Sequence, residues 1–274
     1  LSLDMQFVFT ANPEDYTNRG SIVTPLKDRI GSQILTHYPE TIQIAKTITS
    51  QEAALDTRQS STIFIPELAK DILEQIVFEA RKSEFVDVKS GVSARLSITA
   101  FENLVSTAER RLLHSGDDKT GIRMSDFTGI IPAITGKIEL VYEGEQEGAY
   151  NVALTLLGNA IKSLYSGFFP KIEKIEKQGV ETPYDEIVSW FFNHSEDFEI
   201  LDDISEKDYT SILEKVKPLS EFVLKYQVGV TPEELCFWQE FVLWSLVEHK
   251  KLSKYRYAEG VQFKDPYGSF ISGL

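Results

Sequence analysis

The sequence has one cysteine, no long hydrophobic run and no periodic glycine or proline, and each absence excludes a class of protein. Cys236 cannot form an internal disulfide by itself, which favours a reducing compartment and predicts a cytoplasmic location. No stretch approaches the roughly 18 apolar residues of a membrane-spanning helix, so we expect no membrane span. The 16 Gly and 10 Pro follow no period, which excludes a collagen-like chain.

Basic residues are also too few for a broad nucleic-acid-binding surface. The chain contains 28 Lys and Arg against 42 Asp and Glu, a net charge of −14, so we expect no nucleic-acid partner. Residues 139–208 hold 16 acidic and 5 basic residues of these totals. Such a run is typical of a solvated acidic face, and the alternative is a docking surface for a basic partner.

Common nucleotide and metal motifs are missing as well. The sequence has no G-x-x-x-x-G-K-[ST] loop, and the nearest text, Gly129 to Lys137, has the wrong spacing. The histidines show no H-x-x-x-H or H-E-x-x-H spacing, so a zinc site has little support. Cys236 lies between Leu235 and Phe237, which favours a buried, inert thiol over a nucleophile.

Hydrophobic patterning predicts two strands followed by many helices. The strands are Met5–Thr10, with apolar content typical of burial on both faces, and Ser32–Tyr38. A buried strand needs a neighbour on each side, so we expect the chain to be a fragment whose upstream half is missing. After Pro39 the apolar spacing becomes helical. Helices are predicted near residues 40–54, 66–80, 93–112, 125–135, 148–169, 183–193, 205–227 and 232–250.

Asn12 and Arg29 are two candidate phosphate-contacting residues near the first strand. Asn12 lies at the C-terminal end of that strand, which faces the ligand crevice in open α/β sheets. An Asn before Pro is equally typical of a turn. Arg29 lies near the end of a short helix predicted to begin at Thr24 and to end at Gly31. It would be an arginine finger for a neighbouring subunit's nucleotide, or the partner of Asp28 in an ion pair.

Arg95 is a third candidate, in the first turn of the helix that Ser93 opens. The helix dipole disfavours a cation there by roughly 0.3–1 kcal/mol. An anion such as phosphate beside Arg95 would account for its position. The alternative is a surface arginine that reaches Glu84 or Asp87 in the preceding acidic turn.

Four segments of the sequence together resemble a known family. They are FTANPEDYTNRG (residues 9–20), IVTPLKDRIGSQI (22–34), GVSARL (91–96) and GKIELVYEGE (136–145). The first two closely resemble magnesium chelatase subunit I and MoxR-type AAA+ ATPases. GVSARL resembles the sensor 2 motif of that family, and GKIELVYEGE is similar to a lid segment of its chelatase-like members.

The resemblance implies a role for each of the three polar residues. Asn12 would be the sensor 1 residue that polarises the attacking water, and Arg29 an arginine finger acting across a ring interface. Arg95 would be the sensor 2 arginine that contacts the γ-phosphate. The Walker A and Walker B segments of the family have no counterpart in this chain. ATP and Mg²⁺ are therefore expected in a full-length parent, and this chain alone is expected to hold no cofactor and to be inactive.

The expected fold is mainly α, in three parts. Residues 1–38 would be the C-terminal remnant of an AAA+ α/β core, with sensor 1 and the arginine finger. Residues 39–165 would be a helical AAA+ lid with sensor 2, and residues 166–274 an all-α C-terminal extension. Aromatic residues are frequent in the extension, where helical spacing favours a core over a ligand site.

Two functions from different classes remain open. In the first, the parent is a ring-forming ATPase, expected to be a hexamer, that couples ATP hydrolysis to magnesium insertion or to remodelling of a partner protein. A von Willebrand factor A-type protein is one expected partner, and the sequence does not decide between the two roles. In the second, the acidic helical region is a protein-interaction module without catalytic activity.

Overall fold

A computed structural model describes residues 4–10, 25, 28–87, 90–173, 181–194, 198–257 and 260–264. These residues are mainly α-helical, which confirms the predicted fold class at that level. No helix among them is both long and apolar enough to cross a membrane. The helices are α1 (Ile42–Glu52), α2 (Thr57–Thr62), α3 (Glu67–Lys82), α4 (Arg95–Ser115), α5 (Ile131–Thr135), α6 (Tyr142–Glu147), α7 (Ala149–Tyr165), α8 (Asp185–His194), α9 (Glu206–Glu214), α10 (Lys217–Tyr226) and α11 (Pro232–Glu248), with a 3-10 helix at Met124–Ile130.

Strands in the described residues are short and form two small sheets. The first pairs β1 (Ile63–Phe64) with β2 (Thr120–Gly121) in parallel. The second places β5 (Gly260–Lys264) between β3 (Glu199–Leu201) and β4 (Ser253–Arg256), antiparallel to both.

Capping signals in the sequence set several helix ends. Thr231 accepts a hydrogen bond from the Glu234 N–H at 3.3 Å, and the Glu234 side chain accepts one from the Thr231 N–H at 3.2 Å. This capping box, with Pro232 as the first helical residue, begins α11. Gly116 ends α4 in the left-handed region with a φ of 74°, which glycine adopts without strain.

The core is built on α3, which packs against α7, and α7 in turn packs against α11. Burial of one large aliphatic side chain contributes roughly 1.5–3 kcal/mol, so this face of α3 is a major source of stability. The buried apolar residues of α3 are Leu68, Ala69, Ile72, Leu73, Ile76, Val77 and Ala80.

The buried apolar cluster continues from Ile63 to Phe263 and crosses the predicted boundary at residue 165. Tyr165 itself contacts Phe241 of α11, with ring centres 5.7 Å apart. Helices on both sides of residue 165 therefore share one core. The division into residues 1–38, 39–165 and 166–274 stays a prediction.

Aromatic residues after residue 165 mostly pack in this core, as the sequence predicts. Phe191 and Phe198 meet edge to face with ring centres 5.1 Å apart, and Phe198 also contacts Phe263 of β5 at 6.0 Å. Phe192 and Tyr257 do not follow this pattern, because they are 68% and 49% exposed. Buried Phe and Trp residues after residue 165 include Phe169, Phe191, Phe198, Phe237, Phe241 and Trp244.

Four sequence predictions differ from the structure. The part after residue 165 is not all-α, because β5 pairs with both β3 and β4 and the three strands form a sheet within it. Residues 5–10 and 32–38 are exposed and are not strands, because neither segment forms ladder hydrogen bonds with a described strand. The helix predicted over 205–227 is two helices, α9 and α10, because Pro218 has no N–H to donate and its ring disfavours continuous helix.

Candidate functional site

Residues 91–97, which we call the Arg95 turn, lead from the region after α3 into the first turn of α4. Gly91 takes a φ of 71°, in the left-handed region that favours glycine. Val92 and Leu96 are buried, and between them the Ser93 Oγ accepts a hydrogen bond from the Arg95 N–H at 3.2 Å. Two buried apolar anchors thus hold an exposed arginine at a helix N-terminus.

The Arg95 side chain forms no hydrogen bond or ion pair with any part of the chain that the structure describes. It does not reach Glu84 or Asp87, so the surface ion pair that offered an alternative explanation is not formed. The first turn of α4 also contains no acidic residue. Arg95 is therefore free to contact an anion, with the N-terminal N–H groups of α4 beside it.

Tyr38 and Arg81 contact the start of the Arg95 turn. The Val92 N–H donates a hydrogen bond to the Tyr38 Oη at 3.0 Å. The Arg81 Cζ lies 4.1 Å from the centre of the Tyr38 ring, the distance of a cation–π contact. Burial lowers the pKa of Arg81, and the charges of Tyr38 and Glu74 oppose this effect. The guanidinium stays charged, since its ordinary pKa is above 12.

Glu74 contacts the other end of the Arg95 turn from the interior. Its two carboxylate oxygens accept hydrogen bonds from the Thr49 Oγ1 at 2.5 Å and from the Ser97 Oγ at 2.7 Å. Only 2% of Glu74 is exposed. Burial raises the pKa of Glu74, and the two hydroxyl donors, with the positive charges of Arg81 and Lys46, oppose that rise.

The segment 136–145, the lid-like part of the resemblance, is hydrogen-bonded to the chain that leads into the Arg95 turn. The Asp87 N–H donates to the Glu139 carbonyl at 2.8 Å, and the Val141 N–H donates to the Phe85 carbonyl at 3.1 Å. The Ser90 Oγ also donates to the Glu139 carboxylate. The structure thus places the segment 136–145 beside residues that precede the segment 91–96 in the sequence.

The other two predicted site residues are not brought to this place. Asn12 lies outside the described residues. Arg29 is exposed and, within the part of the chain that the structure describes, forms no ion pair with Asp28 or with any other residue. The ion-pair alternative for Arg29 is therefore not formed, and its predicted role as an arginine finger stays a prediction.

Sequence reasoning missed a buried polar cluster around Arg111. The Arg111 Nη2 donates to the Asp126 Oδ2 at 2.8 Å and to the Gly121 carbonyl at 2.7 Å, and its Nη1 donates to the Thr120 Oγ1. The side chains of Arg111 and Asp126 are 3% and 4% exposed. Such a buried ion pair fixes the geometry of α4 against the 3-10 helix, since each charge needs its partner.

Arg123 connects this cluster to α9, which follows residue 165 in the sequence. The backbone N–H of Arg123 donates to the Asp126 Oδ2 at 2.8 Å, and the Arg123 Nη2 donates to the Glu206 Oε2 at 3.0 Å. Its Cζ lies 4.1 Å from the centre of the Tyr209 ring. Its Nε and Nη1 are buried and have no hydrogen-bond partner among the described residues.

Glu240 completes the cluster from α11. Its Oε2 accepts hydrogen bonds from the Met124 N–H at 2.9 Å and from the Tyr209 hydroxyl at 2.7 Å. Burial raises the pKa of Glu240, and these two donors with the charge of Arg123 oppose the rise. A signal existed in the sequence, because Glu240 stands in a long apolar stretch of α11 where a charge is expected only if it has partners.

A cavity of about 400 Å³ lies where α7 meets the end of α11. The Lys162 Nζ forms an ion pair with Glu248 at 3.3 Å at its edge. The volume suits a small ligand, but the positive and negative side chains around it offer no single charge preference. Its lining residues are Lys162, Tyr165, Ser166, Lys171, Ile172, Glu173 and His249.

Two further sequence interpretations concern metals and the thiol. Among the described residues, no three His, Cys, Asp or Glu side chains are grouped so that they could hold a metal ion. Cys236 is buried, as the sequence predicts, and burial raises the pKa of its thiol to about 11, which disfavours the reactive thiolate. Comparison with family models, with curated proteins and with solved structures gives no match to this chain.

Proposed function

We propose that this chain is the C-terminal part of a ring-forming AAA+ ATPase of the magnesium chelatase subunit I and MoxR type. The observation that carries the proposal is the environment of Arg95: exposed, without a partner in the described residues, and at a helix N-terminus free of acidic side chains. Such an arginine is suited to the γ-phosphate of ATP, which needs a charged donor beside backbone N–H groups. The hydrogen bonds of Phe85, Asp87 and Ser90 with the lid-like segment 136–145 add support.

In this proposal the three predicted residues act on ATP that is held, with Mg²⁺, by an upstream half of the parent. Asn12 orients the attacking water, Arg29 reaches the neighbouring subunit's nucleotide, and Arg95 contacts the γ-phosphate from the helical lid. Catalysis of phosphoryl transfer consists mainly of positioning and charge stabilisation, which arginines supply. The parent would be a cytoplasmic hexameric ring that drives magnesium insertion or remodels a partner, with a von Willebrand factor A-type protein as a candidate partner.

Sequencing the gene upstream of Leu1 tests the proposal first. A G-x-x-x-x-G-K-[ST] loop followed by an acidic strand end would support an ATPase, and its absence would overturn it. In a parent with ATPase activity, Arg95→Ala should lower turnover by about 10- to 150-fold, the loss of one charge-assisted contact. The matched control is Arg110→Ala, which removes another exposed arginine of α4 outside the quoted motifs.

A mixing experiment tests Arg29. If Arg29 acts on the neighbouring subunit, Arg29→Ala subunits and Walker A-deficient subunits should each be nearly inactive and should recover activity when mixed into one ring. Recovery is expected because a mixed interface can combine an intact nucleotide site with an intact arginine. Mixed rings that form without recovery would contradict action between subunits.

A second candidate function is a non-catalytic interaction module, which the exposure of α6 favours. Glu143, Glu145 and Glu147 are exposed on this helix, and Tyr142 beside them is 68% exposed. An acidic, aromatic surface of this kind suits a basic protein partner. The same upstream sequence distinguishes the two functions, because a module without an ATPase half has no nucleotide to act on.

A further inference from the structure

Two residues of α3 contact opposite ends of the Arg95 turn. Glu74 and Arg81 stand seven positions apart, which is about two helical turns, so they lie on the same face of α3. Glu74 accepts the hydrogen bond from Ser97 at one end, and Arg81 lies within 3.5 Å of the Val92 carbonyl at the other. Arg95 stands between these two attachment points.

Tyr38 ties the same place to the chain before α1. Among the described residues, the hydrogen bond and the ring contact that join segment 28–38 to the helices both involve Tyr38, through Val92 and Arg81. The rest of that segment, including Arg29, is largely exposed. A displacement of the Arg95 turn would therefore act on the segment 28–38 through Tyr38.

We propose that Tyr38, Arg81 and Glu74 are positioning residues that brace the Arg95 turn and couple it to the segment that carries Arg29. These contacts explain why Arg95 is exposed although its backbone is held in place. Val92 donates a hydrogen bond to Tyr38 before Arg95, and Ser97 donates one to the buried Glu74 after it. The relevance of this brace to ATP rests on the proposed function. The brace as a mechanical link does not rest on the proposed function, because its contacts lie within this chain.

The brace is tested in the purified 274-residue chain through Tyr38→Phe, which keeps the ring over Arg81 and removes the hydroxyl that accepts from Val92. Amide hydrogen exchange at Val92 should accelerate by about 2- to 12-fold, the loss of one hydrogen bond. A nitroxide label at Arg95→Cys, in a Cys236→Ser background, should become more mobile in the same variant. The control is Tyr142→Phe, which removes another hydroxyl that accepts one hydrogen bond, from Gln146, outside the brace.

A merely stabilising role for Tyr38 would raise exchange throughout the helices and lower the melting temperature, whereas the brace predicts changes confined to residues 91–97 and to the segment 28–38. Unchanged Val92 exchange and unchanged label mobility would overturn the brace. As a second variant, Glu74→Gln keeps the shape of the side chain and should mobilise the label without accelerating Val92 exchange.

In a parent with ATPase activity, the brace predicts that Tyr38→Phe lowers kcat/KM by about 2- to 12-fold when Arg95 is present. In an Arg95→Ala background the same change should alter kcat/KM by less than about twofold, since coupled residues are not additive. Equal effects in both backgrounds would overturn positioning through Arg95. Absence of ATPase activity would instead contradict the proposed function and leave the exchange result to decide the brace.

Discussion

The Arg123 guanidinium lies over the Tyr209 ring, with its Cζ 4.1 Å from the ring centre, and joins parts of the chain that the sequence predicts as separate. Tyr209 in turn donates to Glu240, and Arg123 donates to Glu206. Helices before and after residue 165 therefore share a polar connection as well as an apolar core.

The first prediction concerns the Arg111–Asp126 ion pair in this cluster. Asp126→Ala should lower the free energy of unfolding by about 3–5 kcal/mol, because it leaves the buried guanidinium of Arg111 without its main counter-charge. The double variant Arg111→Met with Asp126→Leu should be less destabilised than Asp126→Ala, since it removes both charges. Urea denaturation of the parent chain, of Asp126→Ala and of the double variant measures these differences. A double variant as unstable as Asp126→Ala would contradict a destabilisation caused by the unpaired charge.

The second prediction concerns Gly144 in α6. A Cβ at this position would collide with the Phe85 carbonyl oxygen, which already accepts a hydrogen bond from Val141. Gly144→Ala should therefore destabilise the fold by about 1–3 kcal/mol, although alanine inside a helix ordinarily stabilises by about 1 kcal/mol. Gly31→Ala is the control, because nothing lies within 4 Å of a Cβ there. Thermal melts of both variants measure the effect. A higher melting temperature for Gly144→Ala than for the parent chain would contradict the predicted collision.

The helices and most of the core were predictable from the sequence, because apolar spacing and caps act locally. Thr231 with Pro232 marks the start of α11, and the period of Leu68, Leu73 and Ile76 marks the buried face of α3. The residues 5–10 have strand-like composition but no partner in the described residues. Strand formation depends on non-local hydrogen bonds, which composition does not report.

The candidate site was predictable only in part for the same reason. Arg95 could be found because an arginine in a first helical turn conflicts with the helix dipole. Tyr38 and Glu74 are distant from Arg95 in sequence and carry no local signal of that kind. Their contacts with Val92 and Ser97 arise only when α3 and α4 pack together.

The third prediction is a pH dependence that comes from Lys254. Its Nζ lies 3.3 Å from the centre of the Trp244 ring, and burial lowers its pKa from 10.5 to about 8, while Glu248 opposes that change. Between pH 8 and 10.5 Lys254 then binds more protons in the unfolded chain than in the folded chain, so its contribution to the free energy of unfolding should rise with pH across that window. Lys254→Met should remove this rise.

Urea denaturation at a series of pH values between 8 and 9.5 measures the effect as the difference between the parent chain and Lys254→Met. Burial raises the pKa of Cys236 to about 11 and that of Tyr184 to about 12, so both groups lower the free energy of unfolding as the pH rises above their ordinary values. Both are present in the two chains, so their contributions cancel in this difference. The control is Lys207→Met, which removes an exposed lysine of α9. Parallel curves for the parent chain and Lys254→Met would show that the lysine titrates as it does in the unfolded chain.

The last prediction concerns the 274-residue chain itself, which should be well folded and unable to hydrolyse ATP. Folding is expected because one continuous core runs from Ile63 to Phe263 and needs no nucleotide to close it. Inactivity is expected because ATP hydrolysis requires a cradle of backbone N–H groups, a lysine and a held Mg²⁺, and the sequence encodes no loop of that type. Arg29 and Arg95 can only act on a nucleotide that other residues already hold. Circular dichroism, calorimetry with ATP and Mg²⁺, and a phosphate-release assay provide the measurement. Turnover that disappears in Arg95→Ala but persists in Arg110→Ala would place the whole nucleotide site within this chain and contradict the proposed division of the ATPase.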